Sequence, residues 1–419
     1  MLSSRARSRL SAPSEIRAAF ERAAALAKRR GPGQVYNLCI GNPQIPPPPE
    51  VAEALEQLLR EDAQAPAQAA NPHGYMDDAG FPEVRAAVAA DLNRRAAETP
   101  YGAWRGAKAH APLAAEHVVM TAGAACALNI ALDALLDPGD EVVVFAPYYP
   151  AYRRFVENWG GRMVVVDAPA PGFQPDARAL ARALTPRTKA VVVNSPNNPT
   201  GAVYTPETLA ALAEALDGTG VVLLSDEPYR DLVFDGGQAP PPGAFYDDTV
   251  TIYSFSKALS IPGERIGYAV VPDCAEQAAD LRRAMRASLG DLGFVNAPAL
   301  FQRVAARCLD AHVDVAVYER NRDVLVDGLR ALGFSAEPPA GGFYLFLKTP
   351  CAEEEFLERA LLCGLVLVGG GAFGCAGYVR ISLCVRPETI DGSLAAFARL
   401  AADLGLTPAA GATSHGTQE

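Results

Sequence analysis

The sequence predicts an α/β protein: a large domain whose mostly parallel sheet is sandwiched by helices, and a smaller α+β domain. Short β-branched runs alternate with helical patterns through the middle of the chain, which is the mark of βαβ units. Those runs are apolar without strict alternation, as in strands covered on both faces. From about Ala297 the order changes and helix and strand cease to alternate, the pattern of a second α+β unit.

Each element has its own signal. Residues 1–30 hold eight basic and two acidic residues, and Ile16, Phe20 and Leu26 recur at helical spacing. A helical arm packed on the body is expected there rather than a transit peptide. The Pro46–Pro49 run marks a joint. Residues 123–136 read as a helix, and Pro138-Gly139-Asp140 turns the chain into a strand at 141–145. Further strands are expected at 163–167, 189–194, 221–225, 249–254 and 265–271, with helices near 176–184 and 206–216. One long helical stretch is expected over 298–332, then a strand at 342–347, a helix at 353–363, and strands at 365–368 and 378–384. The domains are accordingly placed at 1–49 (arm and part of the small domain), 50–296 (large) and 297–405 (small), with a frayed tail at 406–419.

The composition excludes several functions. The chain has 419 residues, with 48 acidic and 37 basic side chains and a net charge of −11. A nucleic-acid binder carries a basic face, which this balance does not supply. The longest apolar stretch, residues 122–136, contains Asn129 and Asp133 and is too short for a membrane span. A soluble, cytoplasmic protein is expected. No two of the eight cysteines lie at C-x-x-C spacing, so neither a zinc site nor any other metal centre is expected. The five histidines are scattered, and most of them are read as surface or internally satisfied groups.

Ligands of open α/β sheets bind beyond the carboxyl ends of the strands. Three neighbouring strand ends there lead into Asn194-Ser195-Pro196-Asn197-Asn198-Pro199-Thr200-Gly201, Ser225-Asp226-Glu227-Pro228-Tyr229 and Ser254-Phe255-Ser256-Lys257, with Arg265 eight residues on. Taken singly, these are a turn, a helix cap and a solvated amine. Together they put an amide, a carboxylate with a phenol, and an amine on one sheet edge. Of the five lysines, Lys28 lies in the arm, Lys108 in a polar loop, Lys189 at the wrong end of a strand and Lys348 before a turn. Only Lys257 stands at a carboxyl end near an acid. An amine, a carboxylate, hydroxyls and an arginine are what pyridoxal phosphate requires. The lysine forms a Schiff base with its aldehyde, and the acid keeps its ring nitrogen protonated. Hydroxyls, arginine and a helix N-terminus hold its phosphate.

These three segments resemble the signatures of class I/II aminotransferases, fold-type I pyridoxal-phosphate enzymes of the aspartate aminotransferase-like branch, over roughly residues 37–400. The resemblance implies that Lys257 is the Schiff-base lysine and proton shuttle, and that Asp226 partners the ring nitrogen. It implies that Tyr229 and Asn198 bind the cofactor's 3′-oxygen. It assigns the phosphate to Ser254, Ser256, Arg265 and the amides of Ala124 and Ala125, and ring stacking to Tyr149. By the same resemblance Tyr75 reaches the neighbouring subunit's phosphate, so a homodimer is implied. Arg380 clamps the substrate α-carboxylate and Gly41 closes over the substrate.

Two departures stand out. Ala124-Ala125 replaces a glycine followed by a hydroxyl or lysine, and Gly369-Gly370-Gly371 replaces Pro-Gly-Ser, predicting a looser wall before Arg380. The run Gly369–Gly374 also spells G-x-G-x-x-G, but a strand pattern comes next, where a dinucleotide site needs a helix.

The expected activity is ping-pong transfer of an amino group between an L-amino acid and a 2-oxo acid. The alternatives are elimination, replacement or cyclisation with the same cofactor, which share the lysine and aspartate, and a non-catalytic sensor, which lacks an attached DNA-binding domain here. An aspartate or glutamate preference rests on the family alone. No second cation is assignable to a distal carboxylate.

Overall fold

The computed structural model describes residues 15–31, 33–66, 71–101 and 112–407, together with Leu2, Ser3, Arg7 and Leu10. Lys108, His110, His415 and most of the expected tail lie outside the described residues. The central sheet is built from β2 (Val118–Thr121), β3 (Glu141–Ala146), β4 (Arg162–Asp167), β5 (Thr188–Asn194), β6 (Val222–Asp226), β7 (Thr249–Ser254) and β8 (Gly267–Val270). Their spatial order is β2-β8-β7-β6-β5-β3-β4. The pairings from β4 through β7 are parallel, whereas β8 runs antiparallel to both β7 and β2. The sheet is thus mostly parallel, as predicted.

Alternate residues of each strand feed two cores, because successive side chains point to opposite faces. Val142, Val144, Val192 and Ile252 pack on one face against α4 (Ala124–Leu135) and α9 (Ala278–Asp291). Val143, Phe145, Val191 and Val193 pack on the other against α7 (Pro206–Leu216) and Leu180 of α6 (Ala177–Ala183). Both faces being covered is why these strands read as apolar runs. The helix starts follow their capping chemistry: Asp176 accepts from the Arg178 amide, and Thr205 from the Thr208 amide one residue ahead of Pro206.

The expected long helix over 298–332 is two helices, α10 (Ala299–Arg307) and α11 (Val315–Ala331). The break has a physical cause. Asp314 caps the second helix by accepting from the Ala316 amide, and the Val313 amide donates to the Ala258 carbonyl next to Lys257. The two helices also serve different cores. Val304, Ala305 and Cys308 pack with Val118, Met120 and Tyr268 and with α2 (Pro49–Gln64) and α3 (Pro82–Glu98). Leu325, Val326 and Leu329 of α11 pack instead with Phe343, Phe356 and Phe397. A start of the second unit at 297 therefore falls too early for the packing, which changes over at α11.

That second core surrounds a three-stranded antiparallel sheet, ordered β11 (Val368–Gly369), β12 (Tyr378–Ser382), β9 (Tyr344–Lys348). The expected strand at 365–368 is divided, because β10 (Leu365–Val366) pairs in parallel with β1 (Tyr36–Asn37) of the N-terminal region. Helix α12 (Glu353–Leu362) and a helix not foreseen, α13 (Pro387–Asp403), cover this unit. The arm is helical as expected: α1 (Glu15–Arg30) buries Ala19 and Ala23 against Phe346, Val366 and Phe373.

Candidate active site

The carboxyl ends of β5, β6 and β7 meet at one edge, and local hydrogen bonds fix the segment leaving each strand. Asn194 accepts from the Asn198 amide at 2.7 Å and donates to the Asp226 carbonyl at 2.7 Å, tying the loop after β5 to the end of β6. Asn197 accepts from both the amide and the hydroxyl of Thr200. Gly201 closes the turn at φ +69°, where any Cβ would strike Pro339 and the Gly341 carbonyl.

Asp226 ends β6 and is 4% exposed. Its Oδ2 accepts from the Tyr152 hydroxyl at 2.6 Å, while its buried Oδ1 has no partner among the described residues. Burial pushes the carboxyl up to about 6, against the lowering effect of the Tyr152 bond. Lys257 lies in the single turn α8 (Phe255–Ala258), which Ser254 caps by accepting from the Ser256 amide. The Lys257 Nζ donates to the Gly41 carbonyl at 2.9 Å. Burial pulls its amine down to about 8, with Arg380 and Arg265 adding to the fall and the Cys384 thiol opposing it.

A cluster of two hydroxyls and a guanidinium sits beside it. The Ser254 and Ser256 hydroxyls are 2.7 Å apart, and Arg265 Nη1 lies 3.4 Å from Ser256 Oγ. Arg265 adopts a left-handed φ of 53° and donates to the Pro262 and Ala122 carbonyls, which aims its guanidinium at the start of α4. Gly123, at φ 83°, precedes that helix, and a Cβ there would collide with the guanidinium. The amides of Ala124 and Ala125 in the first turn have no intrahelical acceptors.

Arg380, on β12, closes the site from the other side and is 2% exposed. Its guanidinium donates to Asn198 Oδ1 at 3.0 Å and to the Cys39 carbonyl at 2.7 Å. The rings of Tyr344 and Phe373 lie 4.2 and 4.8 Å from its central carbon. Arg380, Asn198 and Tyr344 line one cavity of about 280 Å³ with Lys257, Asp226, Gly41, Tyr149, Tyr229 and Asn194. Tyr75 does not line it; its ring is 92% exposed on a loop held by Asn296.

Sequence reasoning missed Tyr152 and Tyr344. Tyr152 stands edge-on to Tyr149, with ring centroids 5.6 Å apart, and its spacing of three from Tyr149 places both on one turn, a signal that was available. Tyr344 packs so closely over Gly41 that any side chain at Gly41 would meet its hydroxyl; no local pattern announces that contact.

The wall before Arg380 is not loose, contrary to expectation. After β11 the chain makes a short 3-10 turn, Gly370–Phe373, and then enters β12. The Glu353 carboxylate accepts from the Gly371 amide at 3.1 Å and the Gly377 amide at 2.9 Å. A Cβ on Gly369 would collide with that carboxylate, so glycine there admits the clamp. The Phe373 carbonyl in turn accepts from the Tyr148 amide at 3.0 Å, joining this loop to the segment that carries Tyr149. Replacing Glu353 with alanine (E353A) is expected to raise KM for the amino substrate about three- to tenfold, roughly 1 kcal/mol of positioning, with little change in kcat. E353Q should recover part of the loss, because an amide oxygen still accepts one of these bonds. Steady-state kinetics of the two variants checks this.

Comparison with known proteins fixes the family. The family model for aminotransferase class I and II matches residues 33–397. The chain belongs to the class I and II aminotransferases. It is 37% identical to the aspartate/prephenate aminotransferase of Thermus thermophilus over 388 residues, 90% of this chain and 94% of that protein. It is 30% identical to a probable N-acetyl-LL-diaminopimelate aminotransferase of Bacillus subtilis, across 86% of this chain and 87% of that one. Among solved structures it superposes on an aminotransferase of Eubacterium rectale with a TM-score of 0.87 at 37% identity, covering 96% of this chain and 99% of the other. It superposes on the Thermus thermophilus aspartate aminotransferase with maleate at 0.82 and 33%, with the same coverage. This aminotransferase is a transaminase, and elimination or cyclisation is not favoured by these relatives.

Proposed function

We propose that this aminotransferase uses pyridoxal 5′-phosphate to move an amino group between an L-amino acid and a 2-oxo acid by a ping-pong route. The observation that carries the proposal is the unpartnered, buried Oδ1 of Asp226 sharing one cavity with an amine held down near 8. The residues suit that cofactor. Asp226 offers a carboxylate to the ring nitrogen. Ser254, Ser256, Arg265 and the first amides of α4 offer a cradle for the phosphate, Tyr149 offers a ring to stack, and Asn198 and Tyr229 offer polar atoms for the 3′-oxygen. When bound, the cofactor supplies an aldehyde that condenses with amines and an electron-poor ring that spreads negative charge developing at the substrate Cα.

The chain's own groups do the rest. Arg380 binds the α-carboxylate with a guanidinium already oriented by Asn198 and Cys39 and flanked by two rings. Lys257 Nζ takes the proton from the substrate Cα, a role its lowered affinity for protons suits at neutral pH. Gly41 permits Tyr344 to close over the substrate, which helps exclude water. The exposed Tyr75 supports a homodimer in which it serves the neighbouring subunit. Residues 1–49 and the unit beginning at α11 are proposed to form the small domain. Bacterial relatives and the absence, among the described residues, of a helix long and apolar enough to cross a membrane support a cytoplasmic setting.

A visible absorption spectrum tests the reading. The purified protein with pyridoxal phosphate is expected to show an absorption band above 400 nm that an amino donor bleaches, about one equivalent of 2-oxo acid appearing per site. No such band at any pH between 6 and 9 would reject it.

A further inference from the structure

The cations lining the cavity among the described residues are Lys257, Arg265 and Arg380, and each is already committed. Arg265 is bound to Ser256, Pro262 and Ala122 at the anion cradle. Arg380 is held for the α-carboxylate, and Lys257 for the amino group and Cα. What remains of the wall includes the side chains of Ile16, Leu128 and Phe155, which offer only hydrocarbon. Leu128 lies one turn beyond Ala124 on α4, and Phe155 lies on α5 (Ala151–Asn158), one turn beyond Tyr152. Ile16 comes from a different part of the chain. It stands in the first turn of α1, whose Ala19 and Ala23 pack in one cluster with Phe373, the ring beside Arg380. The arm therefore holds Ile16 at the same cavity in which Arg380 is fixed.

Among the described residues, no uncommitted cation would meet a second carboxylate of the substrate at this wall. A hydrocarbon side chain would instead leave water for an apolar surface. We infer that the side-chain end of the site takes uncharged amino acids with branched aliphatic or aromatic side chains, and that Ile16 is a specificity-determining residue. The inference rests on the transaminase reading above and names its substrate class. It departs from the acidic preference that the family resemblance alone suggests.

Binding calorimetry on the holoenzyme separates the two, using carboxylic acids that lack an amino group and so cannot react. 4-Methylpentanoate and 3-phenylpropanoate are expected to bind at least about tenfold more tightly than succinate. The kcat/KM values of L-leucine and L-phenylalanine should exceed those of L-aspartate and L-glutamate by a similar factor. I16A should weaken the two apolar acids severalfold and leave succinate unchanged, and I16K should narrow the gap by improving succinate. Succinate binding as tightly as the apolar acids would overturn the inference while leaving the transaminase reading standing. An equal loss for all three acids in I16A would remove Ile16 from its role. If no acid binds and no amino acid is turned over, the transaminase reading falls and the inference with it.

Discussion

K257M is expected to abolish transamination, by about 10⁴-fold or more, because one substitution removes both the nucleophilic amine and the base acting at Cα. Methionine keeps the length and apolar stem of the side chain, so packing around Phe343, whose ring lies 5.2 Å from the amine, is preserved. The stability consequence has the opposite sign. Burial lowers the Lys257 amine from 10.5 to about 8, so between those values the unfolded chain binds more protons than the folded one. Stability rises with pH across that window, and below pH 8 the buried ammonium is a full cost. K257M removes that cost. Its apo form should melt at or above the wild-type apo temperature at pH 7, while showing no absorbance band and no turnover.

The same value sets the pH dependence of cofactor loading in the wild type. At pH 7 about a tenth of the molecules carry the neutral amine, and most do by pH 9. Covalent capture of pyridoxal phosphate by the apoprotein should therefore climb with pH below 8 and level off above it. Stopped-flow absorbance checks the profile. A rate still rising steeply from pH 9 to 10 would show that Lys257 is not the group that titrates.

Much of this site was legible in the sequence because parallel sheets put their chemistry at strand ends. Asn194, Asp226 and Ser254 each end a strand, so the residues directly after three apolar runs were bound to meet at one edge. Lys257 stood out by elimination among few lysines. Arg380 is different: it projects from β12, in the second unit, and nothing local places it beside Asn198, 182 positions earlier. Only the resemblance identified it. The contacts that escaped are those made across the cleft. Tyr344 over Gly41, Phe373 beside Arg380 and Glu353 holding Gly371 and Gly377 arise from tertiary approach, which leaves no periodic trace. The misjudged helix at 298–332 has the same origin. Its break at 308–314 contains neither glycine nor proline, and the capping by Asp314 and the Val313 bond to Ala258 decide it.

D226N separates the cost of building the site from its use. The asparagine can still accept from Tyr152, so the bond at 2.6 Å has a counterpart, but it offers no negative charge to a ring nitrogen. Activity should fall by at least about 100-fold, the scale expected when a pre-placed electrostatic partner is removed. Stability should move the other way. Burial raises the Asp226 carboxyl from 3.8 to about 6, so between those values the folded chain binds more protons than the unfolded one. Stability therefore falls as pH rises through that window, and at pH 7 the ionised, buried carboxylate is a standing penalty. A displacement of this size corresponds to roughly 3 kcal/mol at most. Apo D226N is expected to melt a few degrees above apo wild type at pH 7.5, and the difference should shrink toward zero at pH 4. In the holoenzyme the order should narrow or reverse, because the wild-type carboxylate then gains a charged partner that the amide cannot match. Thermal melts of both proteins, with and without pyridoxal phosphate, at the two pH values decide the matter. Should apo D226N melt below apo wild type at pH 7.5, the carboxylate would be satisfied within the apoprotein, and its assignment to the cofactor's ring would lose its physical basis.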